Sequence, residues 1–428
     1  MSSLIPADTH DLDARIQKAV EYCADNSSYY RDKLREVGAE VGDIRSATDL
    51  ERLPVLLTKE DEVESAARSL ASEGHPFGKH LCASIDDVVA VNSTSGTTGD
   101  PTYYAFTADD VALTDSLWAQ AFRMGGVSAG DAVVHAFGLS MFLAGVPVVR
   151  ALERMRARPI PVGAEAGSEK LIKVISSMQP KAICLTPSYA QHLTEKSDLS
   201  EMGIRHVFCA GEPGAGLPEV RAKISEGFGG ASVTDVIGGC HGIMNASCDA
   251  HQGMHVLGGD HTIQQLIDPD TGEPVEIRDG AVGARVKTTL DWQAQPQLRS
   301  SIGDIYEIFV SPCACGRTEP RIKVIGRIDD LLIIKGVKLY PAAVQNMIHE
   351  FQPELTGSFK IVLREAGPRV EPPLRMKVEL SEGSDPGVLD ELAKRMHGRF
   401  AVTPSIEPVP AGTLVRTSHK ARLIEVEG

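Results

Sequence analysis

Cysteine is sparse in this chain. Eight in 428 residues are too few for a disulfide scaffold, so the thiols are expected to be reduced or metal-bound, in a cytoplasmic protein. Basic charge is also in short supply. Only 43 lysines and arginines face 58 acidic residues, a formal charge of -15. A protein that grips nucleic acid or an anionic membrane carries a basic patch or balance, so neither is expected as a main partner. A few local groups can still hold a small anion. No apolar run approaches the roughly 18–20 residues that cross a bilayer, and the polar, acidic start from Met1 to Asp11 does not read as a signal peptide. Internal repeats, low-complexity tracts and a Gly-Lys-Ser/Thr loop of the Walker type are missing too.

What is present is the composition of an ordinary globular protein, 42% hydrophobic and 24% charged, with more length than one core usually serves. Apolar spacing predicts a helical region over 11–38. Short apolar runs at 88–91, 132–137, 181–185, 206–210 and 232–237 read as strands. Helical patterns at 109–124, 168–178 and 218–228 lie between them. That alternation predicts an α/β domain with a parallel sheet covered by helices on both faces. After about residue 255 the pattern becomes β-rich, with strands at 262–267, 284–289 and 305–310 and turns at Asp270-Thr271-Gly272 and Arg278-Asp279-Gly280. The last hundred residues read as a small α+β unit: helices 342–351 and 385–400, strands 357–364 and 374–380. The expected domains are 1–326 and 327–428.

The run 88–91, read as a buried strand, delivers the chain into Asn92-Ser93-Thr94-Ser95-Gly96-Thr97-Thr98-Gly99-Asp100-Pro101-Thr102. Gly96 and Gly99 let backbone approach closely and take positive φ. Successive N–H groups can form an anion-binding nest, and the hydroxyls of Ser93, Thr94, Ser95, Thr97 and Thr98 add neutral donors. A solvated turn has a similar composition. The length of this stretch and the strand before it favour a polyphosphate cradle.

The string Ser-Thr-Ser-Gly-Thr-Thr-Gly-x-Pro-Thr resembles the phosphate loop of the adenylate-forming superfamily, which includes acyl-CoA synthetases, peptide-synthetase adenylation domains and luciferases. Within it, the phenylacetate–CoA ligases are most similar. Asn26-Ser27-Ser28-Tyr29-Tyr30-Arg31, Leu53-Pro54 with Thr58-Lys59-Glu60-Asp61, and the long run from Gly326-Arg327-Ile328-Asp329-Asp330 to Lys335-Gly336-Val337 resemble further motifs of that family. The likeness spans nearly the whole chain. It implies an AMP-forming ligase in which a carboxylate attacks the α-phosphorus of ATP, pyrophosphate leaves, and the acyl group passes to the thiol of CoA. ATP with magnesium, and CoA, are the implied small-molecule partners. A carrier-protein thiol or an amine is the alternative acceptor, and a nucleotide-binding homologue without catalysis is a third reading. A homodimer is compatible with each.

The resemblance also assigns roles. Lys420, in Gly412-Thr413-Leu414-Val415-Arg416-Thr417-Ser418-His419-Lys420, supplies the cation at the α-phosphate and carboxylate. Asp304 accepts the ribose hydroxyls, Arg327 sits near ribose and phosphate, and Asp329 is the hinge of a mobile C-terminal domain. The backbone of Ala210-Gly211-Glu212-Pro213 packs against the adenine and the acyl site. Asp235-Val236-Ile237-Gly238-Gly239-Cys240-His241 departs from its family counterpart. Ile237 stands where a tyrosine stacks on adenine, Cys240 replaces a Ser/Thr, and His241 replaces a glutamate that supports magnesium. A neutral imidazole is a poor ligand for a hard cation, so His241 is expected to leave magnesium to ATP and water, or to contact the acyl substrate. Asp100 stands where a lysine often follows the loop.

The segment from His135 to Phe142 resembles one that lines an aromatic-acid pocket. Phe137, Gly138, Met141 and Phe142, with Ala210, Gly239 and Cys240, would form a flat apolar slot for an aryl or arylacetic acid. Ordinary core packing uses the same residue types. Separately, Cys248 and His255 with Cys313-Ala314-Cys315 make a thiolate and imidazole set suited to closed tetrahedral zinc, and some relatives of the phenylacetate–CoA ligases share such an arrangement. Cys248, His255, Cys313 and Cys315 are preferred, His251 is the alternative fourth ligand, and reduced cysteines with surface histidines are the plain alternative.

Overall fold

The helical pattern at 11–38 folds as two helices, Leu12–Asn26 and Ser28–Glu36, broken at Ser27. Ser27 is extended (φ -126°, ψ 124°), and its hydroxyl accepts from Tyr30 N at 3.4 Å and donates to Lys79 O at 2.8 Å. It caps donors that the first turn would otherwise leave unpaired. The structure is a computed structural model that describes residues 5, 11–94, 101–365, 367–414 and 423–427. Ser95, Gly96, Thr97, Thr98, Gly99, Asp100 and Lys420 therefore lie outside the described residues.

Five strands pair in parallel in the order Arg158–Pro161, Ala132–His135, Ala182–Leu185, His206–Cys209, Ser232–Gly239. Ala182–Leu185 is buried along its whole length, as an apolar run covered on both faces should be. Trp118, Phe122, Val133, Val148 and Phe208 share the core beside it. Trp118 and Phe122 come from the helix Ala108–Met124, which opens with a capping box between Thr107 and Asp110. Asp110 also accepts from the backbone N–H groups of Gln293 and Ala294, at 2.8 and 2.9 Å, and so ties this helix to a distant loop.

The expected parallel sheet and β-rich region are one continuous 13-stranded sheet. Ser232–Gly239 pairs in parallel on one side and antiparallel with Ile243–Ser247 on the other. Beyond it run Met254–Leu257, the start of Arg321–Arg327, Asp304–Phe309 and Ala281–Thr289; Thr262–Ile267 pairs with the last of these.

The strand expected to be buried at 88–91 is not. The strand here is Ala90–Ser93, and it pairs only with Tyr103–Phe106 in a two-stranded antiparallel ribbon. Val89 and Val91 are exposed, at 62% and 38%. A two-stranded ribbon covers one face only, so an apolar run there does not imply burial on both sides.

The chain divides into two compact units, Met1–Gly211 with Ile224–Lys323, and Glu212–Lys223 with Val324–Gly428. The second holds a four-stranded sheet of Pro404–Val409, Leu374–Leu380, Leu355–Leu363 and Ile424–Val426, in that order. Helices Pro341–His349 and Val388–Phe400 contribute Met347, Ile348, Leu392 and Met396 to its core. Its hairpin, Leu332–Ile334 with Val337–Leu339, turns through Lys335 and Gly336, both at positive φ (48° and 83°), the geometry of a tight two-residue connection. Among the described residues no helix is long and apolar enough to cross a membrane.

Candidate active site

The phosphate-loop strand ends at Ser93, whose N–H donates to Met141 O at 2.8 Å. Thr94 N donates to Thr102 O at 3.1 Å. Tyr104 lies across the ribbon from Asn92. Its hydroxyl donates to Glu62 Oε2 at 3.1 Å, and its ring meets His241 edge-on with centroids 4.7 Å apart. His241 sits in the turn between Ser232–Gly239 and Ile243–Ser247. Gly242 after it takes φ 65°, and a Cβ there would lie 3.3 Å from the Trp292 ring. Glycine therefore suits both the turn's backbone and its packing. His241 Nδ1 lies 3.2 Å from the Nζ of Lys287, on the strand Ala281–Thr289.

Burial sets the charges here. Glu62, His241 and Lys287 are 1%, 3% and 3% exposed. Desolvation, with the charge of Lys287, holds the His241 imidazole well below its usual range. It brings the Lys287 ammonium down to about 7 and pushes the Glu62 carboxyl and the Tyr104 phenol up. It also pushes the Cys240 thiol up to about 12. A buried charge is costly unless it is paired.

Asp304 accepts from Arg285 Nη2 at 2.9 Å through Oδ2. Arg285 Nη1 donates to Tyr306 Oη at 2.8 Å, with the guanidinium over the Tyr306 ring. The pair thus fixes Asp304 while using one of its two oxygens. Val236 is in the main core, Ile237 packs beside Met254 and Tyr306, and Asp235 N donates to Ser247 Oγ. Gly238 and Gly239 complete the strand that leads to Cys240 and His241. Ala210 is buried, and Gly211 turns at φ 94°. Glu212, Pro213, Arg327 and Asp329 belong to the second unit, where Arg327 Nη2 pairs with Asp329 Oδ2 at 2.9 Å. In the segment expected to line an acid pocket, Phe137 packs in the main core while Met141 is 47% exposed; Gly138 and Phe142 are half-buried.

The ligating atoms of Cys248, His255, Cys313 and Cys315 all lie within 4.8 Å of one another. Cys248 Sγ and Cys313 Sγ are 3.6 Å apart, and Cys315 Sγ is 3.4 Å from His255 Nε2. Zinc–sulfur bonds of about 2.3 Å and zinc–nitrogen bonds of about 2.0 Å at tetrahedral angles require edges of about 3.8 and about 3.5 Å. His255 Nδ1 sits 3.2 Å from Glu319 O, a backbone partner of the kind that orients a metal-binding imidazole. The set contains His255 and not His251.

Residues 336–425 match the family described as AMP-binding enzyme C-terminal domain. Over 379 residues the chain is 32% identical to the phenylacetate-coenzyme A ligase of Thermus thermophilus, covering 86% of this chain and 80% of that one. The chain belongs to the phenylacetate–CoA ligase family. It is 27% identical to the Pseudomonas putida phenylacetate-coenzyme A ligase, covering 98% and 95% of the two chains. Its fold matches 2-hydroxyisobutyryl-CoA ligase in the postadenylation state in complex with R3-HIB-AMP. The TM-score is 0.85 and the identity 28%, covering 97% of this chain and 89% of that one.

Five polar or aromatic residues that contact the candidate site residues His241 and Asp304 or their partners escaped the sequence reading: Glu62, Tyr104, Arg285, Lys287 and Trp292. One signal was available. Arg285 and Lys287 alternate within an apolar strand that is buried at nearly every position. Two cations on one face of such a strand mark either an ion pair or a ligand site.

Proposed function

We propose that this ligase activates an aromatic carboxylic acid, of the aryl or arylacetic class, as its acyl-adenylate and passes the acyl group to CoA. One contact supports the reading above others: Ser93 N to Met141 O. It joins the phosphate loop to the segment read as the acid pocket. A carboxylate must come within about 3–3.5 Å of the α-phosphorus in near-attack geometry, so the two subsites need a common wall. The names of the curated relatives support the arylacetic class.

The chemistry needs positioning and charge stabilisation, with no protein nucleophile. In this proposal the N–H groups and hydroxyls from Ser93 to Gly99 hold the phosphates. Asp304, fixed by Arg285, accepts the ribose hydroxyls. The backbones of Ala210–Pro213 and Asp235–Gly238 flank the adenine, with Arg327 near the ribose. Lys420 brings a cation to the reacting oxygens, and Asp329 is the hinge for its unit. Magnesium enters with ATP, since His241 offers only a neutral imidazole.

Purified protein incubated with ATP and a panel of aryl and arylacetic acids should release pyrophosphate, and should form acyl-CoA when CoA is added. Pyrophosphate without a CoA product would move the acceptor to a carrier protein or amine. No pyrophosphate from any acid would sink the enzymatic reading. Lys420→Ala should abolish pyrophosphate release while ATP still binds.

The finer cofactor proposal is one structural zinc held by Cys248, His255, Cys313 and Cys315, pinning the turn that bears Cys313 and Cys315 to the sheet. Metal analysis should find about one zinc per chain, and Cys313→Ser should lower that content. A native content far below one removes the site. The other five cysteines are free thiols, which fits a cytoplasmic setting.

A further inference from the structure

Lys287 presents an imbalance that the fold alone does not resolve. Its ammonium is buried, yet among the described residues it forms no ion pair within 4.0 Å, and its hydrogen bond goes to a neutral ring nitrogen, His241 Nδ1 at 3.2 Å. While Lys287 is an ammonium it only donates, so Nδ1 accepts and the single proton of the neutral imidazole sits on Nε2. That Nε2 is itself buried and without a hydrogen-bond partner. Two of the three ammonium hydrogens are likewise unspent. Glu62 is not their direct counter-ion: Tyr104 holds its Oε2, its Oε1 has no partner, and burial favours its neutral form. Gln264, directly across the ladder from Lys287, also keeps a buried and unpartnered Oε1. Arg285 is engaged by Asp304 and Tyr306, and the Cys240 thiol is held protonated.

Three N–H donors thus stand unmatched at this pair, whose imidazole packs on the ring of Tyr104, the residue opposite Asn92 in its ribbon. Buried donors without acceptors are unfavourable, and anionic oxygens on the two sides of the imidazole would satisfy them. We propose that Lys287 and His241 form an oxyanion-binding centre that donates Nζ–H and Nε2–H, from the two sides of the imidazole, to separate phosphoryl or carboxylate oxygens of the reactants. The centre rests on the adenylation reading and deepens it. Where a carboxylate-held cation would otherwise offset charge, this chain places a lysine. The imidazole beside it is locked as a donor.

The test measures equilibrium binding to the full-length enzyme by calorimetry, with ATP in EDTA and, separately, with phenylacetate. Lys287→Met and His241→Phe should each weaken ATP or phenylacetate binding roughly ten- to a hundredfold, the size expected for charge-assisted hydrogen bonds. Weaker ATP binding identifies the phosphoryl oxygen, and weaker phenylacetate binding the carboxylate. Wild-type affinity for both reactants in both variants overturns the proposal. The double variant Lys287→Met with Glu62→Gln separates a structural role. Full recovery of affinity would make Lys287 merely the counter-charge of Glu62 and also overturns it, whereas the centre requires the loss to persist. Pyrophosphate release by the wild type is scored independently. A failed centre therefore leaves the ligase reading standing, and a failed ligase reading shows as no turnover.

Discussion

Lys287→Met should stabilise the ligand-free protein at neutral pH while weakening reactant binding. Burial lowers the folded-state pKa of Lys287 from 10.5 to about 7, whereas in the unfolded chain it titrates near 10.4. A base whose folded pKa is depressed contributes full stability only above its unfolded pKa. That contribution is lost as pH falls toward the folded value. At about 1.4 kcal/mol per pKa unit, the buried ammonium costs the fold about 4 kcal/mol at pH 7 and about 2 kcal/mol at pH 9. The wild type should therefore gain about 2 kcal/mol more than Lys287→Met between those pH values. Methionine fills a similar volume without a charge, and the titrating groups that do not face Lys287 cancel in the difference. Urea unfolding followed by tryptophan fluorescence is the assay. Both tryptophans, Trp118 and Trp292, are buried in the first unit, so the signal reports that unit. Parallel stability–pH curves for the two proteins, or a variant less stable at pH 7, would refute the reasoning.

Two further perturbations test other parts of the site. Asp110→Ala removes a buried acceptor of three backbone N–H groups, those of Thr107, Gln293 and Ala294. At about 1–3 kcal/mol for each orphaned donor, the unfolding free energy should fall by about 3 kcal/mol or more; a loss under about 1 kcal/mol would contradict the buried network. Asp304→Ala should raise the KM for ATP roughly tenfold or more, with little change in the KM for the acid, because hydrogen bonds to a charged group contribute about 1.5–3 kcal/mol. An equal rise for both substrates would take the ribose role away from Asp304.

Where the signal was local, the sequence was legible. Thr262–Ile267 and Leu374–Leu380 fold with the expected bounds, as does the helix Ser168–Met178, since each carries a strong apolar pattern between clear breakers. The helices Lys59–Glu73, Val146–Arg154 and Pro187–Lys196 were not read. Two of them are well capped: Thr58 forms a capping box with Asp61, and Pro187 opens its helix behind Thr186. Their apolar faces are short, however, and a weak stripe gains its stability from tertiary packing. The strand at Ala90–Ser93 was misjudged as buried for the converse reason, because an apolar run does not report how many neighbours a strand has.

By itself, the sequence determined the alternating α/β class, the three cysteines of the cysteine–histidine cluster and the C-terminal motif. Each is a short pattern whose chemistry is carried by residue type and spacing. Only the tertiary structure brought together Glu62, Tyr104, His241 and Lys287, from four distant segments, and only it selected His255 over His251. It also removed water from around Lys287. Charge state follows from desolvation and from what stands within a few ångströms, and neither quantity is written in the order of residues along the chain.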